Sequence, residues 1–308
     1  MKSIVQRYGL SFLIMVTALI FISPNRLFAL SLIQSFAFQA MICYVLLAFF
    51  LRALNKKLSA YTAGIAGLAL FLFLSTHVHL SPNSQAQNQR FSVAHFNVLF
   101  LNFNHEDIAI NAIKSGADVV SFQEVTAPLV SSLKRRIGDV YPYHEVVHGE
   151  NPSEGIALFS KYPLQNVNVT YWGDMPNILA DVVIDDQPIH LVASHTKSPV
   201  YPSRYNMRNR HIKQITDYVK GIDKPVVAMG DYNAVPWDVH IRELQKQAGL
   251  EDSRRSLTPT FPAWIPPAQI PIDYIFYSNE LECIRFDAIR SDSSDHLGIV
   301  GRYDLKKV

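Results

Sequence analysis

The first eighty residues carry three apolar runs without a charged side chain, and nothing else in the chain limits its architecture as strongly. Leu27 to Leu51 is 25 residues and Leu58 to Leu80 is 23. As helices both exceed the roughly 30 Å hydrocarbon core of a bilayer. Tyr8 to Ser23 is 16 residues and reaches only about 24 Å. It still spans if Arg7 snorkels or the bilayer thins. A cleaved signal is the competing reading of this run, with Lys2 and Arg7 as its basic start. Two hydrophobic helices follow closely and no A-x-A site closes the run, so three spans are expected.

Charge sets the orientation. Residues 1–80 hold Lys2, Arg7, Arg26, Arg52, Lys56 and Lys57 and no Asp or Glu. With the N-terminus in the cytoplasm, five of these lie inside and Arg26 alone lies outside, as the positive-inside rule prefers. Three spans then place residue 81 onward outside the cytoplasm, at the cell (inner) membrane of a bacterium. His77 and His79, at the end of the third run, read as interfacial polar residues. Ser81 to Arg90 is a polar linker. Residues 91–308 form the catalytic domain expected beyond it.

Residues 81–308 hold 22 Lys and Arg against 26 Asp and Glu, a net charge of −4. With 49% apolar residues, disorder is excluded. Cys43 and Cys283 are the two cysteines, and Cys43 sits in an apolar run. That excludes a disulfide scaffold and a Cys-rich zinc site.

Short apolar runs at Phe91–Phe96, Val119–Phe122, Gly155–Phe159, Ile178–Ile184, Ile189–Ser194, Val226–Met229 and Ile272–Tyr277 read as buried strands. Helical patterns lie at Glu106–Ser115, Ala127–Ile137, Asn206–Val219 and Asp238–Ala248. The mix predicts an α/β domain with mixed sheets. Gly155 to Ile184, with Lys161-Tyr162-Pro163 as a turn, reads as antiparallel hairpins. Tyr171-Trp172-Gly173-Asp174 reads as a turn.

Polar residues follow these strands: Asn97, Glu124, His195, Asp231 with Asn233, Asp273, and the Asp295-His296 pair. Ligand sites in α/β proteins form outside the carboxyl ends of strands. An isolated Asp or Asn there is usually a turn former or cap. Six such positions in separate segments are hard to explain that way together. Oxygen ligands suit a hard cation such as Mg²⁺ or Mn²⁺, and a neutral imidazole moves protons near pH 7.

The ordered motifs Phe96-Asn97-Val98, Phe122-Gln123-Glu124, Ser194-His195-Thr196, Gly230-Asp231-Tyr232-Asn233, Ile272-Asp273-Tyr274 and Ser294-Asp295-His296 resemble the endonuclease/exonuclease/phosphatase superfamily. The resemblance runs over about residues 91–303, and membrane-anchored bacterial members are the nearer match. It implies a four-layer α/β sandwich, two packed mixed β-sheets flanked by helices, and Mg²⁺-dependent cleavage of phosphate esters. It also implies roles. Glu124 is the main metal ligand, with Asn97 beside it and Asp295 assisting. His195 contacts a phosphate oxygen, and Asn233 holds the phosphate. Asp231 orients or deprotonates water. Asp273 and His296 form a carboxylate–imidazole pair, expected at about 2.6–3.2 Å.

Outside these motifs, Arg208 is read as a substrate contact, flanked by Arg204 and Arg210. Trp237 is read as a stacking surface for a base or sugar. Thr260 to Pro267 is an apolar, Pro-rich loop just before Asp273, and Glu154 is a weaker metal or phosphate candidate. The expected activity is that of a membrane-tethered phosphodiesterase or phosphatase for a lipid headgroup or small phosphate ester. An extracytoplasmic nuclease is the alternative, although a net acidic domain suits nucleic acid poorly. A non-catalytic membrane-bound binding protein is the third reading, and the intact motifs argue against it.

Overall fold

A computed structural model of the chain describes residues 2–24, 26–78, 89–291 and 293–306. His79 and residues 81–88 of the expected linker lie outside them. The chain divides into two units, residues 1–79 with 235–239, and residues 80–234 with 240–308.

The first unit contains α1 (Lys2–Ile22), α2 (Phe28–Gln34), α3 (Ala37–Ala53) and α4 (Lys57–Ser75). Its interior mixes large apolar residues, Leu51, Leu70 and Leu74, with small and hydroxyl-bearing ones. Ala60, Ala63, Ala66 and Gly67 of α4 are buried. The Ser11 and Ser59 hydroxyls meet at 3.1 Å, and the Tyr44 hydroxyl donates to Thr17 Oγ1 at 2.8 Å. Its exterior carries Phe49, Phe50, Ile65 and Leu68. Large apolar side chains facing outward, with small and hydroxyl-bearing residues among the helix contacts, suit helices that pack in lipid.

The expected three straight spans are not what the chain forms. Among the described residues one helix, α4, is long and apolar enough to cross a membrane. The second run is broken into α2 and α3, bent by 61°, and qualifies only if the pair counts as one span. The apolar part of α1, Tyr8–Ile22, is shorter. The break falls at a polar pair inside the second run. Gln34 Nε2 donates to the Ile20 and Ser23 carbonyls at 2.7 and 2.6 Å, satisfying groups at the end of α1.

The second unit contains β1 (Phe91–Asn97), α5 (His105–Ser115), β2 (Val119–Gln123), α6 (Ala127–Ile137), β3 (Tyr143–Val147), β4 (Ile156–Ser160), β5 (Gln165–Trp172), β6 (Met175–Ile184), β7 (Gln187–Ser194), α7 (Pro202–Val219), β8 (Val226–Asp231), α8 (Val239–Ala248), β9 (Leu250–Asp252), β10 (Asp273–Ser278), β11 (Leu281–Ile289) and β12 (Gly298–Leu305). The first residue of α8 groups with the other unit. The strands form two six-stranded sheets, ordered β11-β12-β1-β2-β4-β3 and β5-β6-β7-β8-β10-β9. Each is mixed, with β1–β2 and β7–β8 parallel and every other pair antiparallel.

Alternation along the strands builds the layers. Phe91 and Val93 face the core between the sheets, with Ile178, Leu191, Met229 and Ile275. Ala94 and Phe96, on the other face of β1, pack with Ile108 of α5 and Leu129 of α6. Ile212 and Ile215 of α7 and Leu244 of α8 cover the outer face of the second sheet. The result is two packed sheets with helices outside.

The expected hairpins need one correction. Lys161-Tyr162-Pro163 does not close a hairpin, because β4 and β5 belong to different sheets. The turn carries the chain from one layer to the other. The hairpin lies between β5 and β6, where Trp172 pairs with Met175 across Gly173-Asp174.

Candidate active site

The strand ends of both sheets converge on one cleft of about 530 Å³. Glu124, His195, Asp231, Asn233, Asp295 and His296 are in its wall. The first sheet supplies Asn97 at the end of β1, Glu124 after β2 and His296 before β12. The second supplies His195 after β7, Asp231 at the end of β8 and Asp273 at the start of β10.

Backbone register sets up an awkward pair. Asp231 and Asp273 are direct partners across the antiparallel β8–β10 ladder. Like charges opposite one another on buried strands are unfavourable. Histidines resolve this. His296 Nδ1 lies 2.9 Å from Asp273 Oδ2, and His95 Nε2 lies 3.1 Å from Asp273 Oδ1. Asp273 is thus held between two imidazoles. His296 Nε2 faces Asp231 Oδ2 at 3.8 Å, and His195 Nε2 stands 3.9 Å from the same oxygen.

These contacts shift the proton affinities. Burial pushes the Asp231 carboxyl up, and the charge on Asp273 adds to it, to about 8. Burial alone would lower His296. The charge and hydrogen bond of Asp273, with Asp231 and Asp295, outweigh it and raise the imidazole to about 10. Burial opposes the ionised form of Asp273 as well, but His296 and His95 hold it well below the usual carboxylate range. Burial, and then the neighbouring His296, lower His195 to about 3, so that ring is neutral at pH 7. At pH 7 in metal-free protein, a protonated His296, a neutral His195 and a largely protonated Asp231 therefore face the same space.

The oxygen-rich side is built around Asn97. Its amide Nδ2 donates to Glu124 Oε1 at 3.1 Å and to Asp231 Oδ2 at 3.3 Å. Phe100 N–H donates to Glu124 Oε2 at 3.1 Å. Burial raises Glu124, against the hydrogen bonds of Phe100 and Asn97. Asp295 Oδ1 is buried without a hydrogen-bond partner, and burial raises this carboxyl too. Carboxylates that burial disfavours, one with an orphaned oxygen, fit a hard divalent cation. Asp231, Asp273 and His296 also bring ligand-type atoms within 4.8 Å of one another. Both oxygens of Asp273 are already engaged by imidazoles. The trio can therefore handle protons, and Glu124, Asn97 and Asp295 could hold an ion beside it.

Local backbone geometry holds the side chains in place. Glu124 and Asn233 take left-handed conformations, with φ of 63° and 50°. Non-glycine residues seldom do so outside functional loops. Asn233 N–H donates to Asp231 Oδ1 at 2.8 Å, and its amide donates to the Thr196 carbonyl at 3.0 Å. Ser294 Oγ ties the His296 loop to the Asn97 carbonyl at 2.7 Å.

Two positioning residues, His95 and Gln123, were given no role by the sequence, although Gln123 lies in the Phe122-Gln123-Glu124 motif. His95 lies inside an apolar strand, and its signal is its face. It shares the inward side of β1 with Phe91, Val93 and Asn97. Gln123 of the first sheet accepts from Asp231 N–H at 2.9 Å and donates to the Ser194 carbonyl of the second. Gly230 leaves the room for this bridge. With φ of 154°, a Cβ there would meet Ser194 O at 1.7 Å and Gln123 Nε2 at 2.5 Å.

Arg208 does not reach the cleft wall. It is buried, donates to the Asn233 carbonyl at 2.8 Å and braces that loop from behind. Arg204, one helical turn earlier, is in the wall instead. Trp237 is also buried; it groups with the first unit and is not among the cleft-lining residues. Glu154 is in the wall, paired with Lys197, which lowers its carboxyl against the effect of burial.

The Asp231→Asn variant is expected to be more stable and inactive. In metal-free protein the folded state keeps a proton on Asp231 up to about pH 8, while the unfolded state releases it near 3.8. The native form is thus penalised progressively as pH rises from about 4 to 8. Asparagine removes that penalty, worth about 1 kcal/mol or more at pH 7 after discounting the coupling to Asp273. Metal-free thermal melts of both proteins at pH 5 and 8 check this. A gap that fails to widen with pH would contradict it.

A profile of the Endonuclease/Exonuclease/phosphatase family matches residues 94–296, about two thirds of the chain. No curated protein sequence matches it. Solved structures show the same fold. A humanized D. rerio TDP2 is 19% identical, with a TM-score of 0.60 over 70% of this chain and 98% of that one. D. rerio TDP2 complexed with a single-strand DNA product is 20% identical, with a TM-score of 0.59 over the same shares. An endonuclease/exonuclease/phosphatase from Bacteroides vulgatus is 16% identical, with a TM-score of 0.60 over 70% of this chain and 99% of that one. The profile match encloses every strand end that builds the cleft, from β1 to His296, and on that ground the chain belongs to the endonuclease/exonuclease/phosphatase family of metal-dependent phosphoric ester hydrolases.

Proposed function

We propose that the protein hydrolyses a lipid headgroup ester or small phosphate ester, with Mg²⁺ or Mn²⁺ held by Glu124, Asn97 and Asp295, and is tethered to the cell membrane by its N-terminal helices. One observation carries the substrate reading. The cleft is compact, and Phe261 of the apolar Pro-rich loop closes on the His296 ring at a centroid distance of 4.8 Å. A polynucleotide would favour a long basic groove.

When bound, the cation neutralises charge developing on the phosphoryl oxygens. The chain's own residues do the rest. Once ionised, Asp231 accepts the proton of the attacking water; burial and the charge on Asp273 raise the pKa of this carboxyl to about 8, which makes its ionised form a stronger base. His296, protonated and held by Asp273, donates toward the phosphoryl group. Neutral His195 offers one N–H to a phosphate oxygen, and the Asn233 side holds the substrate in line.

A tether is supported by the lipid-type packing of the first unit. The basic residues of the N-terminal loops support an extracytoplasmic cleft. An alkaline phosphatase fusion after Arg90 is expected to be active; an inactive one would mean that an even number of runs cross.

The nuclease reading keeps one specific support, the similarity to a TDP2 solved with a single-strand DNA product. Purified full-length protein, assayed with and without chelator on phospholipid, bis(4-nitrophenyl) phosphate, and single- and double-stranded DNA, separates the two. Cation-dependent cleavage of the first two is expected. Preferential cleavage of DNA would establish the nuclease, and no turnover of anything would leave a binding protein.

A further inference from the structure

The large apolar side chains of the catalytic unit that stand most open to water are not scattered. Among the described residues of 89–306, six are more than half exposed: Leu101, Phe103, Tyr171, Val200, Trp264 and Ile265. Each lies within four residues of a cleft-lining residue, namely Phe100, Met175, Ser198 or Phe261. Phe103 is 85% exposed. Isolated exposed leucines are ordinary, but exposed apolar side chains confined to the segments that carry one cleft's wall, and so form its rim, mark a contact surface.

The loops are built to present these groups. Residues 98–104 and 256–272 contain no Asp, Glu, Lys or Arg, so their tips leave no charge to desolvate. Their bases are fastened. Ala263 N–H donates to the Asp295 carbonyl at 2.7 Å, and Leu297 N–H to the Thr260 carbonyl at 2.9 Å. Asn102 Nδ2 donates to the Val98 carbonyl at 3.0 Å. At the start of α7 the Arg204 guanidinium, in the cleft wall, stacks on the Tyr201 ring at 5.0 Å. An arginine over an aromatic ring suits the boundary where lipid phosphates meet hydrocarbon.

We infer that this rim docks on a lipid bilayer and that the substrate is a phosphate ester carrying a hydrocarbon tail, taken from that surface with its phosphate in the cleft and its tail against the rim. The inference rests on the phosphate-ester reading of the cleft and adds its physical form. A bilayer fits the geometry better than a protein partner. A protein seated on the whole rim would close the cleft, whereas a bilayer is itself the source of an amphiphilic substrate. The apolar rim and the charged cleft match the two ends of such a molecule.

The test uses the full chain in phosphatidylcholine–phosphatidylglycerol vesicles. With Trp172→Phe and Trp237→Phe, Trp264 is the single emitter, and acyl-brominated lipids are expected to quench it about twofold or more. Emission unchanged by brominated lipid would overturn docking. In the second arm, Phe103→Asp with Trp264→Asp is expected to lower vesicle phospholipid hydrolysis about tenfold while bis(4-nitrophenyl) phosphate turnover stays within about twofold. Equal turnover of vesicle lipid by wild type and variant would overturn the inference. So would a wild-type dimer that the Asp substitutions dissolve, which would assign the rim to self-association. Loss of every activity in wild type would sink the hydrolase reading, and the quenching arm would still decide the docking.

Discussion

Replacing His296 by alanine is expected to lower turnover at least about a hundredfold, the low end for a positioned acid–base group. The reason is the chain of contacts behind it. Asp273 Oδ2 sits 2.9 Å from Nδ1, which fixes the tautomer and leaves Nε2 facing Asp231 and the cleft. Asp273→Asn should do much of the same damage without removing the ring. An amide cannot accept from both His95 and His296 as the carboxylate does, and it does not hold His296 protonated. The pH profile separates the two variants from a merely structural effect. Losing the carboxylate should bring the imidazole down from about 10 toward its ordinary value, so activity that needs the protonated ring falls at lower pH than in wild type. Melting curves establish that each variant is folded. A folded Asp273→Asn protein with wild-type turnover and pH profile would remove the pair from the chemistry, leaving Asp231 and the cation alone.

Glu124→Ala is expected to abolish cation-dependent hydrolysis while the fold survives. The carboxylate is held by Asn97 and by Phe100 N–H at 3.1 Å each, on a residue with φ of 63°. The ion it helps to hold contributes several kcal/mol to the barrier, about a thousandfold or more in rate. Burial raises the Glu124 carboxyl, so its loss removes a group whose charge the native state disfavours. The melting temperature of metal-free protein should therefore change little. Titration calorimetry with Mg²⁺ and turnover at limiting Mg²⁺ check the assignment. Near wild-type values in both would move the ion elsewhere in the cluster.

His296 and Glu124 both sit at strand ends of the first sheet, and the sequence made the strands and the site legible unequally. Central strands were legible because they are covered on both faces and read as continuous apolar runs. β1, β2, β4, β6, β7, β8 and β10 were all recognised that way, and α6 was placed residue for residue. The strands that were missed, β3, β5, β9 and β11, are the four sheet edges. An edge strand keeps one side in water and needs no such run; β5 is exposed or half-buried along its whole length.

Site residues divide in the same manner. Asn97, Glu124, His195, Asp231 and Asn233 end or follow their strands as their order suggests, whereas Asp273 opens β10 and Asp295-His296 precede β12, so antiparallel pairing brings amino ends to the same rim. Arg208 and Arg204 sit on one helix four residues apart, and nothing in their spacing says which faces the cleft. Packing decided it, by burying Arg208 behind Asn233.

By itself, then, the sequence determined the membrane-like N-terminal composition, the interior strands, and the chemical types at their ends, because each follows from local periodicity or the identity of one residue. Only the tertiary structure decided the bend at Gln34, the pairing of Asp231 with Asp273, and the placing of His95 against that pair. It alone also settled the Gln123 bridge between sheets and the exposure of apolar side chains on the segments that carry the cleft wall. These depend on which groups from distant segments must satisfy one another's hydrogen bonds and charges once water is excluded, and that is a property of packing in three dimensions.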